Sequence, residues 1–574
     1  MPNKFLKSLA SLFSKMSITP KPSRLSKTPK LPKSHKLSEL PKLSELHKNK
    51  FAHLSSALVG EQAYKNNRLT RAALVSLAIL TFITFIGNFA QLQLTAALPT
   101  IVREFNISVT TGQWLTSIFQ LIMAIMVPLT AFLTRRFSTR QIVISSMVLF
   151  TLGSIMAWLS NDFIMALAGR TLEAIGTGVM WPVLQITVFS VYPVTRRGMA
   201  MGSVGMAMSI APAIGPTVGG MQTDFNGWRS IFLSLSIIGV ISIVLSAFFL
   251  HNFGEQDRCA KADFFSVGLS IVGFGGVMFG FTNIEAYGIS SAFSWAPMIV
   301  GACGVAWFVL RQLRASSNGK QPLLGIGVLK NRYFTVGTVC ACLTFFAFSS
   351  IMVVIPLYIQ SDRGFSATMS GLVLLPGAFG MAISQYFGGR MLDRFGVRPV
   401  AMAGSLILLF GTVMMSLIDR YTWIWWISIW QFTRQIGMGF LLMPVTTWSL
   451  NCLQRSELGD GSAVTNTMRQ LWGAIGAPVL VVTMATFTQW HHALTGVGSA
   501  DNIAASIFGV QWTLRISAII TAIMALIVIF GVKGEGAGSA HQLARKAIDS
   551  MRVLHIPHAS EHKDVMHDHT HHQY

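Results

Sequence analysis

Apolar runs of about 20 residues recur along almost the whole chain, and each is long enough to cross roughly 30 Å of hydrocarbon as a helix. Only 11% of the 574 residues are charged and 52% are hydrophobic, whereas soluble domains carry roughly 25% charged residues. The sequence therefore predicts an all-α membrane protein with about fourteen spans. The predicted spans 1 to 14 cover residues 72–98, 113–133, 141–160, 163–190, 198–220, 230–250, 264–284, 294–312, 334–358, 369–388, 398–417, 422–447, 466–488 and 512–532.

The lysines and arginines between the predicted spans alternate from one side of the membrane to the other. Every second turn, beginning after span 2, is rich in cations, and the remaining turns hold little beyond Arg103, Arg229, Arg363 and Arg420. Because cytoplasmic loops carry the excess of Lys and Arg, this pattern predicts a multi-pass protein of the cell membrane with both termini in the cytoplasm. The cation-rich turns contain Arg135, Arg136 and Arg140; Arg196 and Arg197; Arg258 and Lys261; Arg311, Arg314, Lys320, Lys330 and Arg332; Arg390, Arg394 and Arg398; and Arg455.

Two polar tails flank the predicted spans. Residues 1–70 are rich in Ser, Pro and Lys and carry much of the formal net charge of +22, which predicts a disordered basic tail attracted to anionic head groups of the lipid bilayer. A merely solvated tail is the alternative, and neither requires a nucleic acid partner. Residues 534–574 are rich in histidine without a defined ligand spacing, so we predict no metal site there.

Motifs for nucleotide and hydrolytic chemistry are missing from the chain. It contains no GxxxxGK[ST], HExxH, GxSxG or CxxC. An ATP-driven pump or a membrane protease would need residues of this kind. We therefore predict neither an enzyme nor a bound cofactor.

Span 4 contains two opposite charges within apolar sequence. Arg170 and Glu173 stand three residues apart in RTLEAIGTG, and residues at this spacing share one face of a helix, so the two side chains can pair. A charge in a span costs roughly 2.5–3.5 kcal/mol on insertion scales, and ionisable residues inside a membrane are functional by default. A structural ion pair is the alternative.

Span 5 combines a stripe of small residues with two prolines. The small residues recur at every fourth position, which lets a neighbouring helix approach closely. Pro212 and Pro216 each remove one backbone hydrogen bond and permit a bend, and the span ends in Gly219 and Gly220. The stripe consists of Ser203, Ala207, Ala211, Gly215 and Gly219.

Several segments within roughly residues 72–532 resemble the motifs of one family. APAIGPTVGG at 211–220 is similar to the antiporter motif of major facilitator superfamily exporters, and GGRMLDRFGVRP at 388–399 is similar to their loop motif. FSATMSGLVLLPGAFGMAIS at 365–384 resembles a stretch typical of EmrB/QacA-type drug:proton antiporters. AALPTI at 96–101, NTMRQLWGAIG at 466–476 and GRTLEAIGTGVMWP at 169–182 fit the same group.

The resemblance implies a major facilitator fold of two six-helix bundles, with two inserted helices in the branch that has fourteen spans. It also implies substrate/proton antiport, with the arginine of the span 4 motif, here Arg170, in proton transfer. The antiporter motif falls on Ala211, Pro212, Gly215, Pro216, Gly219 and Gly220. The two cytoplasmic loop motifs fall on Arg135, Arg136 and Arg140 after span 2, and on Gly389, Asp393, Arg394, Gly396 and Arg398 after span 10.

An internal repeat is visible without the family. AFLTRRFSTRQ at 131–141 follows span 2 as GRMLDRFGVRP follows span 10, and IGTGVMWPV at 175–183 is echoed by IGMGFLLMPV at 436–445. Repeats of this kind place the substrate at the interface between two halves, near the bilayer midplane. The predicted domains are the basic tail 1–70, a six-helix bundle at 71–252, two inserted helices at 253–320, a second six-helix bundle at 321–533 and the His-rich tail 534–574.

The chain departs from the family pattern where charge matters most. Arg135 stands where the first loop motif has an aspartate, and Ala90 stands where many relatives carry an aspartate in span 1. Glu173 stands where relatives commonly have glutamine, and it is the one carboxylate predicted well inside a span. We therefore predict that Glu173 binds the transported proton in place of the missing aspartate.

Polar and aromatic residues elsewhere in the spans could contact a substrate. The neutral polar groups of span 1 either line a cavity or bond neighbouring helices. Trp181 could present its ring to a lipophilic cation, and two arginines could hold anionic substrate groups or pair across the bundle. The pocket candidates are Asn88, Gln91, Thr95, Trp181, Arg434 and Arg469.

Together these features predict a proton-coupled secondary active exporter of amphipathic or lipophilic compounds, with drugs as the leading class. Export of one endogenous metabolite, amino acid or lipid is a second hypothesis. A non-transporting receptor or scaffold is a third, and the paired loop motifs argue against it. The predicted partners are a small amphipathic substrate, protons and the lipid bilayer; the sequence makes no prediction about an accessory periplasmic partner.

Overall fold

The structure is a computed structural model that describes residues 63–65, 68–253, 263–288, 291–317, 322–495 and 502–533. The predicted His-rich tail and nearly all of the predicted basic tail lie outside these residues. Just before the first span, the two-residue strands Tyr64–Lys65 and Arg68–Leu69 pair antiparallel.

Fourteen long helical segments follow one another, in the predicted order, and they keep the numbers of the predicted spans. Spans 1 to 7 are Arg71–Gln93, Val109–Arg136, Thr139–Trp158, Phe163–Val191, Arg197–Asn226, Arg229–Phe249 and Phe264–Tyr287. Spans 8 to 14 are Ala292–Ser317, Arg332–Leu357, Ala367–Phe395, Val397–Met415, Ile424–Asn451, Leu458–Thr495 and Asn502–Gly531. Short helices connect some of them: Leu94–Ala96, Leu98–Glu104, Val194–Arg196, Ile326–Lys330, Tyr358–Asp362 and Arg455–Glu457.

Thirteen helical segments among the described residues are long and apolar enough to cross a membrane. Span 12 is the long helix outside that set, although it has 28 residues. Twenty of its residues are buried against other helices, including Gln431, Arg434 and Gln435. Because span 12 faces protein on most sides, it needs less apolar surface than a helix that faces lipid.

The spans pack as two six-helix bundles with a helix pair beside them, which confirms the predicted fold class. In the first half, span 3 packs on spans 4 and 6, and span 1 packs on span 5. In the second half, span 12 packs on spans 10 and 11, and span 13 packs on spans 9 and 14. Spans 7 and 8 pack on each other, and span 7 also contacts spans 2 and 13. Spans 5 and 10 form the most extensive contact between the halves.

Local hydrogen bonds and prolines explain several helix ends. Ser108, Ser138 and Ser366 cap the first turns of spans 2, 3 and 10 by accepting backbone N–H bonds, as N-cap residues do. Span 4 consists of two helices, Phe163–Gly178 and Met180–Val191. Pro182 has no N–H to offer the carbonyl of Gly178, four residues earlier, which accounts for the break.

Several predicted boundaries differ from the structure, and those of spans 1, 13 and 14 are examples. Span 1 ends at Gln93 rather than residue 98, and the chain continues as a 3-10 turn. Span 13 is much longer than predicted at both ends, and span 14 begins ten residues before the predicted position 512. Hydropathy finds the part of a helix that lies in hydrocarbon, whereas backbone hydrogen bonding continues the helix beyond the membrane.

Candidate functional site

The two charges of span 4 form an ion pair inside the first bundle. Arg170 Nη1 donates to Glu173 Oε2 at 2.7 Å, and both side chains are 0% exposed. Ser154 of span 3 donates its hydroxyl to Glu173 Oε1 at 2.5 Å. A carboxylate that has no contact with water is thus satisfied by one charged and one neutral donor. The role of the pair in proton binding stays a prediction.

Arg170 also connects span 4 to three other spans. Its Nε donates to the Leu115 carbonyl at 3.3 Å, and its Nη1 lies 3.5 Å from the Ala90 carbonyl. The guanidinium lies over the ring of Phe119 at 4.2 Å and near that of Phe232 at 6.0 Å. Its Nη2 has no hydrogen-bond partner. The Arg170 cation of span 4 therefore reaches Ala90, the position at which the family pattern has an aspartate.

The internal repeat places Arg434 of span 12 where Glu173 stands in span 4. Gly153 and Ser154 contact Glu173, and Gly411 and Thr412 contact Arg434 in the same way: the glycine packs on the backbone and the hydroxyl bonds the side chain. The bond from Arg434 Nε to Thr412 Oγ1 is 3.2 Å long. The two halves thus carry opposite charges at equivalent positions.

No carboxylate among the described residues pairs with Arg434. Its Nη2 donates to the Ala347 carbonyl of span 9 at 2.7 Å, and its Nη1 has no partner. Gln431, at the position equivalent to Arg170, is also fully buried and has no partner for its amide atoms. These contacts of Arg434 lie within the second half, on spans 9 and 11.

The antiporter motif of span 5 packs directly on span 1. A Cβ atom at Gly219 would lie 2.0 Å from the Gln93 carbonyl oxygen, and one at Gly215 would lie 3.3 Å from that of Phe89. Pro212 and Pro216 lie within the uninterrupted helix Arg197–Asn226. The remaining motif positions, Ala211 and Gly220, are buried and half-buried respectively.

The first part of span 5 packs instead on span 10 of the other half. A Cβ atom at Gly198 would lie 2.5 Å from the Gly389 carbonyl, and one at Gly202 would lie 2.5 Å from that of Gln385. The Asp393 carboxylate accepts the backbone N–H groups of Gly198 at 2.9 Å and Met199 at 2.7 Å. Asp393 therefore caps span 5 across the interface, where a helix start favours negative charge.

The other loop motif makes the matching contact with its charges exchanged. Arg135 of span 2 donates from Nη2 to Asp460 Oδ1 at 2.7 Å, and Asp460 lies at the start of span 13 in the second half. Arg135 occupies the place that Asp393 has in the second motif, and Asp460 aligns with Met199. The aspartate missing from the first motif is therefore replaced by an aspartate on the helix that the motif contacts.

The remaining loop-motif residues lie at the same end of the bundle. Arg140 donates to the Ala247 carbonyl, and its backbone N–H donates to Asn252. Gly396 ends span 10 with a φ of 84°, a conformation that favours glycine. Arg394 and Arg398 are exposed, and Arg136 is half-buried. We call the end of the bundle that holds Arg135, Arg197 and Arg394 the basic end.

We expect the Arg135–Asp460 pair to act as a unit between the halves. Arg135→Asp or Asp460→Arg alone places like charges opposite each other and should lower the initial transport rate several-fold. The doubly exchanged variant, Arg135→Asp with Asp460→Arg, should recover much of that rate, since the coupling energy of a half-buried pair is on the order of 1 kcal/mol. A double variant that transports no faster than the worse single variant would show that the pair has no such role.

Two pocket candidates, Trp181 and Arg469, meet at the interface of the halves. The Arg469 guanidinium lies 5.5 Å from the ring of Trp181 on span 4 and 4.4 Å from that of Phe345 on span 9. Close by, Gln185 Oε1 accepts from Ser462 Oγ at 2.6 Å and from Asn466 Nδ2 at 2.9 Å. The ring of Trp181, proposed from sequence as a contact for a lipophilic cation, thus already contacts a cation of the protein.

The span 1 candidates Asn88, Gln91 and Thr95 do not lie on one helix face. Asn88 donates to the Thr84 carbonyl at 3.2 Å and to the Met208 sulfur of span 5 at 3.4 Å. Gln91 is half-buried. Thr95 lies in the 3-10 turn after span 1, is exposed and donates to the Leu92 carbonyl. Because the α-helix ends at Gln93, Thr95 does not continue the face of Asn88.

Several residues that contact the predicted site residues were not predicted from the sequence, namely Ser154, Gln185, Asn466 and Asp460. Asp460 could have been predicted, since Gly459 and Asp460 at the start of span 13 align with Gly198 and Met199 at the start of span 5. Ser154 could have been found from its repeat counterpart Thr412. Gln185 and Asn466 carry no comparable signal, since each is one amide among apolar residues.

Comparison with known proteins agrees with this geometry. The family model described as Major Facilitator Superfamily matches residues 77–477. An uncharacterized MFS-type transporter, YcnB of Bacillus subtilis, is 34% identical over 77% of this chain and 95% of its own length. The lincomycin resistance protein LmrB of the same organism is 34% identical over 78% of this chain and 93% of its own length.

A solved structure shares the fold at much lower identity. The human organic anion transporter MFSD10 (TETRAN) superposes with a TM-score of 0.57 at 11% identity, over 79% of this chain and 99% of its own. A putative multidrug resistance protein, MdtD of Serratia proteamaculans, is 24% identical over 72% of this chain and 85% of its own length.

Proposed function

Because this chain belongs to the Major Facilitator Superfamily, we propose that it is a proton-driven exporter of small amphipathic compounds. It is a multi-pass membrane transporter and not an enzyme. We place it in the cell membrane with the basic end in the cytoplasm, since Lys and Arg concentrate on that side of a membrane. Names of the relatives, lincomycin resistance and putative multidrug resistance, support drugs as the leading substrate class.

The observation that carries the proposal is the fully buried Arg170–Glu173 pair. A carboxylate inside a membrane bundle with a cation beside it is the arrangement that proton relays use. When Glu173 takes up a proton, the ion pair is lost and Arg170 keeps its contacts with the Leu115 and Ala90 carbonyls and with the rings of Phe119 and Phe232. Protonation would thereby change the balance of contacts between span 4 and spans 1 and 2.

Contacts at the basic end supply the second conformational element. Hydrogen bonds of Arg135, Arg197, Asp393 and Gln185 join the two halves, and they lie from the basic end to the depth of Gln185. In this arrangement the halves are joined on the proposed cytoplasmic side. Rocking of the halves about a central site would then break these contacts and admit substrate from the cytoplasm.

Flux measurements in proteoliposomes test the function directly. We expect the full-length protein to move amphipathic compounds against their concentration gradient when a pH gradient is imposed, and to stop when a protonophore collapses it. The compounds should include anionic, neutral and cationic members, with lincomycin among them. Liposomes without protein and a sodium gradient without a pH gradient serve as controls. Proton coupling would be contradicted if the flux of all tested compounds were the same with and without the pH gradient.

A further inference from the structure

We propose that Arg469, between the rings of Trp181 and Phe345, is the group that recognises substrate, and that the substrate class is amphipathic organic anions with an apolar or aromatic body. This inference rests on the proposed export function and names the chemistry of its central site. It starts from a charge without a counter-charge. No carboxylate among the described residues forms an ion pair with Arg469, although its side chain is only 6% exposed.

The guanidinium of Arg469 is incompletely satisfied. Its two ring contacts, with Trp181 and Phe345, supply cation–π attraction, but its Nε–H has no hydrogen-bond partner. A buried charge is costly unless it is both paired and hydrogen-bonded. An anion would supply both the missing acceptor and the missing counter-charge, and a carboxylate matches the fork of a guanidinium with two parallel bonds.

Arg469 lies at the depth in the membrane at which a transported compound is expected to bind. Span 13 begins at Leu458 at the basic end, so Arg469 lies about 16 Å along it at 1.5 Å per residue. Trp181 lies about 15 Å from the end of span 4 at Val191 by the same measure. Both depths are about half of the roughly 30 Å hydrocarbon thickness, and Trp181 belongs to the first half whereas Arg469 belongs to the second.

Two neighbouring side chains have polar atoms without a hydrogen-bond partner in the described part of the chain. Gln185 lies one turn from Trp181, and its Nε2 has no partner. Asn466 lies one turn from Arg469, and its Oδ1 has none. Both residues are buried, at 1% and 2% exposure. A donor amide beside the guanidinium favours an anion further, while the faces of Trp181 and Phe345 can take the apolar body.

Arg434 is also buried without an ion pair among the described residues, but its position argues against a role in recognising substrate. Arg434 is 0% exposed, and its hydrogen bonds are accepted by Thr412 and Ala347, both in the second half. The buried acid Glu173 is already paired with Arg170 and bonded by Ser154. The charge that faces the interface is therefore positive, and it would repel a lipophilic cation.

Three probes that share one ring system test the inference: naphthaleneacetate, naphthaleneacetamide and naphthylethylammonium. Their binding to the full-length protein in nanodiscs is measured by equilibrium dialysis, without any gradient. We expect the anion to bind about tenfold more tightly than the amide, and the cation to bind most weakly. Arg469→Gln should abolish this preference, whereas Arg469→Lys, which keeps the charge and loses the fork, should keep part of it.

Arg515→Gln is the matched control, because Arg515 also lies over a tryptophan ring, that of Trp512, at 5.0 Å on span 14. Its preference should equal that of the unaltered protein. Should Arg469→Gln fail to insert, Trp181→Leu is the second variant, and it should weaken the binding of all three probes. Equal binding of the anion and the amide by the unaltered protein, or an unchanged preference in Arg469→Gln, would overturn the inference.

This test is separate from that of the proposed function. Tight anion binding without any flux that responds to a pH gradient would support the anion site and contradict proton-driven export. Gradient-driven export of cations, together with no preference for the anion, would support export and overturn the assignment of Arg469.

Discussion

Replacing Glu173 with glutamine is expected to abolish transport driven by a pH gradient while substrate binding persists. Glutamine keeps the shape of the side chain and can still bond Ser154, but it cannot take up or release a proton. The ion pair with Arg170, at 2.7 Å, is lost permanently in this variant, as it is lost transiently when Glu173 is protonated. The measurement is initial flux in proteoliposomes under an imposed gradient, beside equilibrium binding of the same compound.

The control for this variant is Glu104→Gln, which removes a carboxylate that is also paired with an arginine. Glu104 lies in the short helix between spans 1 and 2 and bonds Arg229 and Trp228. Partial burial raises the pKa of Glu104, but the hydrogen bonds from Arg229 and Trp228 and the charge of Arg229 outweigh this and lower it below its ordinary value. A carboxylate that stays ionised at neutral pH carries no proton, so Glu104→Gln should transport normally.

A double variant separates a proton role from a structural one. Arg170→Gln with Glu173→Arg reproduces the arrangement of Gln431 and Arg434 in the second half. Since the second half accommodates that arrangement, the variant should insert, whereas Arg170→Ala leaves Glu173 without its cation and should lower the yield of folded protein. We expect no gradient-driven flux from the double variant. Normal gradient-driven flux by it, or by Glu173→Gln, would mean that the proton binds elsewhere and that the pair is structural.

Substituting leucine for Gly219 is expected to lower the transport rate by about tenfold or more, while the protein still inserts. The added Cβ atom would lie 2.0 Å from the Gln93 carbonyl oxygen, and a backbone atom cannot move aside as a flexible side chain can. Overpacking of a filled interface costs about 1–3 kcal/mol or more. Spans 1 and 5 would have to separate, which disturbs the helix that also carries the Ala90 contact with Arg170.

Smaller substitutions and a matched glycine grade this effect. Gly215→Ala should be milder than Gly219→Ala, since its Cβ atom would lie 3.3 Å from the nearest backbone atom. Gly371→Leu in span 10 is the control, because a Cβ atom there meets nothing within 4 Å. Transport and membrane insertion are measured for each variant. Similar activity for the leucine variants at Gly219 and Gly371 would exclude close packing as the reason for this part of the antiporter motif.

The fold and part of the candidate site followed from local properties of the chain. Hydropathy predicted the number and order of the long helices, since each span is a contiguous segment whose solvent is set by its own composition. The pairing of Arg170 with Glu173 was predictable because a three-residue spacing in a helix brings two side chains together whatever surrounds them. The break in span 4 is a local property too, since Pro182 has no backbone N–H to donate.

The contacts between segments were decided by the tertiary structure. Asp460 stands 325 residues after Arg135, and only the docking of spans 2 and 13 shows that it replaces the aspartate missing from the first loop motif. Trp181, Phe345 and Arg469 come from three spans in two halves, so their meeting depends on how the repeats pack. The membrane helices and the local ion pair could be predicted from the sequence, because they depend only on the composition of each segment and on helical spacing. Which charge lies at the interface could be read only from the packed helices, because it depends on the rotation and docking of each helix against the others.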